Sequence, residues 1–225
     1  MTLHRLRSIL IPLLAVAFMQ AAGAPFEIDP GAANVVTFAP QKTRFVRFLM
    51  PESSGAQPCL DELEVYGVAP GKNLALAKHG GKVTASSELA GYAIHLIEHL
   101  NDGLYGNAHS WIAAGSRNEW AQVELPGVTV VQRLIFSRDR LGRYTDRLPA
   151  SFVVQLSVDG KDWESVFRTD GVHVVPAVPN RPRRSTVRRI SFRQHHARQL
   201  RVLILSTGDC SPPCLQEVEV YGRER

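Results

Sequence analysis

Two polar loops carry most of the side chains in this chain that could do chemistry. The first, Asn101-Asp102-Gly103-Leu104-Tyr105-Gly106-Asn107-Ala108-His109-Ser110, gathers several side-chain oxygens around two glycines. A hard cation such as Ca2+ wants six to eight oxygens, some of them backbone carbonyls on a tightly curved loop. A hydrogen-bonded Asx-type turn with no metal accounts for the same residues. The second loop, Arg138-Asp139-Arg140-Leu141-Gly142-Arg143-Tyr144-Thr145-Asp146-Arg147, sets six ionised side chains around one tyrosine. Arginine forks and an aromatic face suit sugar hydroxyls, carboxylates or sulfates. Arg138, Arg140, Arg143 and Tyr144 are therefore candidate ligand contacts. Asp139 and Asp146 support a second reading, in which ion pairs inside the loop only fix its shape.

The remaining polar clusters point less clearly to a task. Arg181-Pro182-Arg183-Arg184, with Arg188, Arg189, Arg193, His195, His196 and Arg198, forms a basic run. Such a run attracts nucleic acid, anionic polysaccharide or a membrane surface. Val187, Ile190 and Phe192 interleave with it as on a strand with a solvated outer face. No stacking aromatics accompany the arginines, so nucleic acid is not an expected partner. His79, His95, His99 and His109 are irregularly spaced and read as ordinary surface or core histidines, since catalysis needs positioned partners. With no nucleophile elbow, zinc signature or triad, we expect no catalytic residues and no enzyme.

The elements that must hold these loops announce themselves by a repeat. Thr43–Gly67 and Ala197–Gly222 superimpose at Arg44/Arg198, Arg47/Arg201, Cys59/Cys214, Leu60/Leu215, Glu62/Glu217 and Tyr66/Tyr221, among others. In each copy apolar residues alternate, Val46-Phe48-Met50 and Leu200-Val202-Ile204, as in a strand with one buried face. A Ser/Gly/Pro-rich turn and a second β-rich run follow, making each copy a strand–turn–strand unit. Between the copies, Trp120–Leu125, Val130–Ser137, Phe152–Ser157 and Trp163–Phe167 read as short strands. Asp159-Gly160 signals a tight hairpin, and Ile94–Leu100 a short helical turn. The expected fold class is all-β, a sandwich or barrel.

The first 24 residues read as a secretory signal peptide: a basic start, an apolar run over Ile9–Phe18 and a small-residue Ala22-Gly23-Ala24 cleavage site. That run is too short to span a bilayer, and no later segment is a transmembrane candidate. The expectation is a secreted or periplasmic protein. Without Arg5 and Arg7, 24 basic residues face 21 acidic ones, a mild +3. The exported chain keeps Cys59, Cys210 and Cys214 in an oxidising compartment. Cys210 and Cys214 flank Ser-Pro-Pro and are the favoured pair, with Cys59 left free. Cys59 and Cys214 would meet instead if the two repeats pack symmetrically.

Several motifs together resemble one family. Asn73-Leu74-Ala75-Leu76-Ala77-Lys78 with Val83-Thr84-Ala85-Ser86-Ser87 is similar to the opening of a discoidin domain, the coagulation factor V/VIII type C family. Asn101-Asp102-Gly103 with Ser110-Trp111 resembles its acidic loop, and Trp120–Leu125 its next strand. Phe152 through Trp163 resembles its hairpin, and Glu217–Gly222 its closing strand. The resemblance implies a galactose-binding-like jelly-roll β-sandwich over 71–222. Residues 25–70 then form a partial, discoidin-like repeat of the closing strands, docked as extra strands because a lone hairpin buries too little. It implies a structural Ca2+ held by Asp102, Asn107, Ser110 and Glu217 with the Leu100 carbonyl. It also places Trp111, Trp120 and Trp163 in the core. The fold is close to that of family 32 carbohydrate-binding modules. The expected function is a non-catalytic binding module for an extracellular or envelope glycan; the alternative is a protein–protein or cell-envelope adhesion module.

Overall fold

The computed structural model describes residues 26–29, 31–52, 56–68, 71–138, 144, 146–169, 172–174, 186–192, 195–207 and 214–222. The expected signal peptide, Cys210, Arg140 and Arg143 lie outside the described residues.

Among the described residues twelve strands follow one another: β1 (Phe26–Ile28), β2 (Asn34–Glu52), β3 (Cys59–Tyr66), β4 (Lys82–Ala85), β5 (Trp111–Ile112) and β6 (Arg117–Ser137). After these come β7 (Pro149–Ser157), β8 (Glu164–Arg168), β9 (Val172–Val174), β10 (Thr186–Arg189), β11 (Gln199–Thr207) and β12 (Cys214–Tyr221). The helical segments among the described residues are short 3-10 turns at Ala77–His79 and Ile97–Asn101. Among the described residues no helix is long and apolar enough to cross a membrane. The all-β expectation holds.

β2 and β6, of 19 and 21 residues, pass through both layers of the sandwich. The two expected strands Trp120–Leu125 and Val130–Ser137 are thus one continuous β6. Breaks in the β2–β6 register between Thr37 and Gln41 and between Thr43 and Phe45 mark where β2 turns from one layer to the other. The first layer runs β5-β3-β12, then the C-terminal half of β6 and the N-terminal half of β2, which also pairs with β10. The second runs β4, the N-terminal half of β6, the C-terminal half of β2, then β11-β7-β8. Phe136 of the first layer meets Phe152 of the second edge to face, with ring centroids 5.6 Å apart.

The duplicated ribbons pack side by side, parallel and in the register of their sequence identity. Arg47 lies opposite Arg201 on β2 and β11, and Cys59, Glu62 and Tyr66 lie opposite Cys214, Glu217 and Tyr221 on β3 and β12. The N-terminal copy is interior to the sheet, since β2 sits between β6 and β11. Val46, Phe48, Leu60, Leu63 and Val65 of that copy are at most 1% exposed. At roughly 1.5–3 kcal/mol per fully buried large apolar side chain, this ribbon is a substantial share of the core.

Three local expectations change. Cys59, expected to be the free thiol, is disulfide-bonded. The expected Cys210–Cys214 pair includes Cys210, which lies outside the described residues. The parallel register sets the Cα of Cys214 across from that of Cys59, at an inter-strand spacing a disulfide can bridge. Asp159-Gly160 does not make a two-residue hairpin but lies in the longer connection 158–163. There Gly160 takes φ +78°, and Asp159 Oδ1 accepts from the Lys161 and Asp162 N–H groups at 2.8 and 3.0 Å. Finally, Trp111 is fully buried as expected, whereas Trp120 and Trp163 lie half-buried outside the core.

Candidate binding site

The 3-10 turn Ile97–Asn101 delivers the 101–110 loop to the flank of β3. Leu100 is buried and Asn101 Nδ2 donates to the Ala75 and Gly81 carbonyls at 2.8 and 3.3 Å, anchoring the loop's start. The loop then lies along the acidic face of β3. Gly103 N–H donates to Glu62 Oε2 at 3.2 Å, Gly106 N–H to Asp61 Oδ2 at 3.0 Å, and Tyr105 hydroxyl to Glu64 Oε1 at 2.9 Å. The same Glu64 oxygen accepts from the Tyr66 hydroxyl at 2.8 Å. Three buried carboxylates thus find partners nearby, Glu62 and Asp61 in backbone N–H groups of the loop and Glu64 in two tyrosine hydroxyls, as buried charge requires. Burial and the Glu64 carboxylate push the Tyr66 phenol far up from its ordinary value.

Within the loop, Asp102 Oδ1 accepts from Leu104 N–H at 2.7 Å, an Asx turn, and Asp102 Oδ2 lies 3.2 Å from His109 Nδ1. His99 packs edge-on to His109, and the ligand atoms of His99, Asp102 and His109 fall within 4.8 Å of one another. Of the other residues expected around a cation, Asn107 is exposed. Ser110 is buried, and its Oγ is 2.8 Å from His95 Nδ1. Glu217 lies one strand beyond Glu62, which is the acid bonded to the loop. The repeat alignment Glu62/Glu217 contained that exchange, because both copies carry an acid at the position.

The 138–147 connection leaves β6 and returns as β7. Arg138 Nε donates to Asp146 Oδ1 at 3.1 Å, and its guanidinium carbon stands 5.1 Å from the centre of the Tyr144 ring. Arg138 is 11% exposed at the side chain, while Tyr144 is 54% exposed. The structure thus joins Arg138 and Tyr144 and gives Arg138 an internal acid partner. Arg147 takes a left-handed φ of 59° next to Asp146, which it also pairs with at 3.3 Å.

A third polar surface covers the outer face of the second layer. The alternation that buries Ala121, Val123 and Leu125 turns Trp120, Gln122 and Glu124 outward. Arg47 Nε donates to Gln122 Oε1 at 2.9 Å and Arg201 Nε to Gln155 Oε1 at 2.6 Å. The Arg47 guanidinium lies 4.2 Å over the Trp120 ring, and that of Arg201 lies 3.9 Å over Trp163. Burial lowers the Arg47 guanidinium; burial and the neighbouring Arg47 charge push Arg201 down to about 10. Trp163 also lines an open cleft of about 500 Å3 with Ser157, Glu164 and His195. In the sequence the Arg47/Arg201 identity marks the pair, and identity alone names no role for it.

The profile of the F5/8 type C domain matches residues 82–216, more than half of the chain. The match begins after β2 and β3, although both strands lie inside the sandwich. No curated protein matches the chain, and no solved structure does.

Proposed function

The chain belongs to the F5/8 type C domain family, a family of binding modules, and from that premise we propose a secreted, non-catalytic module that recognises carbohydrate. The reading is carried by Tyr144, an exposed aromatic face held by a guanidinium at the end of the sandwich. Loops at such ends carry binding residues because the strands beneath them hold still. A sugar ring stacks on Tyr144 while Arg140 and Arg143 supply forked donors to its hydroxyls. Arg138 positions the ring.

A glycan array on the exported protein tests this. Binding to defined neutral glycans that is lost in Tyr144→Ala, with the melting temperature unchanged, supports the loop site. A silent array, with specific pull-down of an envelope protein, favours adhesion through protein contacts instead. Turnover in a hydrolase screen would remove the non-catalytic assignment.

A structural cation at the 101–110 loop belongs to the same proposal. Of the oxygen set expected for Ca2+, Asp102 with Asn107, Ser110 and Glu217, Ser110 Oγ is already bonded to His95 and Asn107 is exposed. The donors gathered beside Asp102 are the imidazoles of His99 and His109, a nitrogen–oxygen set that suits a borderline cation such as Zn2+. A thermal shift with Ca2+ that is lost in Asp102→Asn supports the oxygen set. A shift with Zn2+ lost in His99→Ala supports the mixed set, and no shift with either ends the cation role.

A further inference from the structure

One row of side chains crosses the whole second layer on its outer face. In register it reads Thr84 on β4, Gln122 on β6, Arg47 on β2, Arg201 on β11, Gln155 on β7 and Ser165 on β8. All six point away from the core, because their neighbours in each strand alternate inward. Five strand spacings of about 4.8 Å make a row roughly 24 Å long.

The centre of the row is two guanidiniums directly opposite each other. Like charges at such a cross-strand position are destabilising, and the expected remedy is a carboxylate between them. Among the described residues no carboxylate pairs with Arg47 or Arg201. Arg44 pairs with Glu124 at 2.7 Å and leaves both of them out. Instead each Nε is bound to a neutral glutamine oxygen and each guanidinium lies on an indole face. Those contacts fix the plane of each fork while its terminal nitrogens stay uncommitted. Two oriented, half-buried forks side by side match an oxyanion that bridges them. The indole faces are already covered by the arginines, so a neutral sugar does not stack there. The amides and hydroxyls on either side suit the hydroxyls of a longer chain.

We propose that Arg47 and Arg201 form an oxyanion clamp at the middle of this row, and that the ligand is an acidic polysaccharide laid across the sheet face. The clamp exists because the ribbon was duplicated: one arginine position, copied and packed parallel in register, becomes a pair. This surface is separate from the Tyr144 loop and rests on the carbohydrate reading only for what bears the oxyanion.

Binding of the full exported chain to dextran sulfate, polygalacturonate and uncharged dextran, with salt varied, tests the clamp. Dextran sulfate separates a sulfate ligand from the carboxylate of polygalacturonate. Either acidic polymer should bind, uncharged dextran should not, and affinity should fall as salt rises. Arg47→Gln or Arg201→Gln should weaken acidic-polymer binding about tenfold or more. Arg44→Gln should leave it within about twofold. If a Gln variant unfolds, Arg201→Lys keeps the charge and loses the fork, and should still weaken binding severalfold. Inorganic sulfate should raise the melting temperature of the parent and not of Arg201→Lys. Failure of the parent to bind either acidic polymer overturns the clamp, as does equal binding by the parent and the arginine variants. Neutral-glycan binding lost only in Tyr144→Ala would stand whichever way this result falls.

Discussion

Tyr66 and Tyr221, the same position in the two copies of the ribbon, stack face to face with ring centroids 4.5 Å apart and 9° between their planes. Each hydroxyl donates to the glutamate two residues earlier, Glu64 and Glu219. The stack is a direct consequence of parallel, in-register pairing, which brings the repeated residues of β3 and β12 side by side.

The Tyr66 phenol should resist ionisation. Its folded value is raised above the unfolded one, first by burial and then by Glu64. The sign follows: its contribution to stability is complete below the ordinary phenol value of about 10 and is lost as pH climbs beyond it. Ultraviolet titration of the native protein should show one tyrosine that ionises only as the protein unfolds. Tyr66→Phe should flatten the alkaline fall in melting temperature.

At the acid end the relevant group is His95. Burial, and then the charge of His99, holds its imidazole below the ordinary value, and Ser110 Oγ is its hydrogen-bond partner. The unfolded chain therefore takes up the proton first, so His95 supports stability above about pH 6.5 and that support is lost as pH falls through its lowered folded value. Melting temperature followed from neutral to acid pH should drop in this window. The drop should be shallower in His95→Gln.

The disulfide at Cys59 ties the N-terminal ribbon to the rest of the sandwich. Non-reducing peptide mapping should recover Cys59 linked to Cys214, with Cys210 alkylatable. Cys59→Ala should cost about 2–4 kcal/mol, read as a fall in denaturation midpoint. Recovery of a Cys210–Cys214 peptide would overturn the Cys59 link.

The two glycines that close the repeats should not tolerate substitution equally. A Cβ on Gly222 would come within 2.2 Å of the Val130 carbonyl oxygen and 2.8 Å of Gly67 backbone. On Gly67 the nearest atoms are side-chain ends at 3.2 Å. Gly222→Ala should therefore destabilise by about 1–3 kcal/mol, and Gly67→Ala by clearly less, in parallel urea melts.

Much of the fold was legible in local pattern. Alternation in Val46-Phe48-Met50 and Leu200-Val202-Ile204 named the buried face of both ribbons, and the repeat alignment anticipated the strand register residue for residue. At Trp120 local alternation and family resemblance point opposite ways. Its own alternation with Ala121, Val123 and Leu125 turned it outward, yet family resemblance suggested the core.

By itself the amino-acid order determined strand identity, facing and the equivalence of the two ribbons, because period-two alternation and residue identity are local properties. Only tertiary structure decided that the ribbons lie parallel and adjacent within one sandwich. That choice joined Cys59 into a disulfide, set Glu62 beneath the 101–110 loop and brought Arg47 beside Arg201. Strand pairing across some 150 residues depends on how faces from distant segments bury one another, and no local spacing records which neighbour wins.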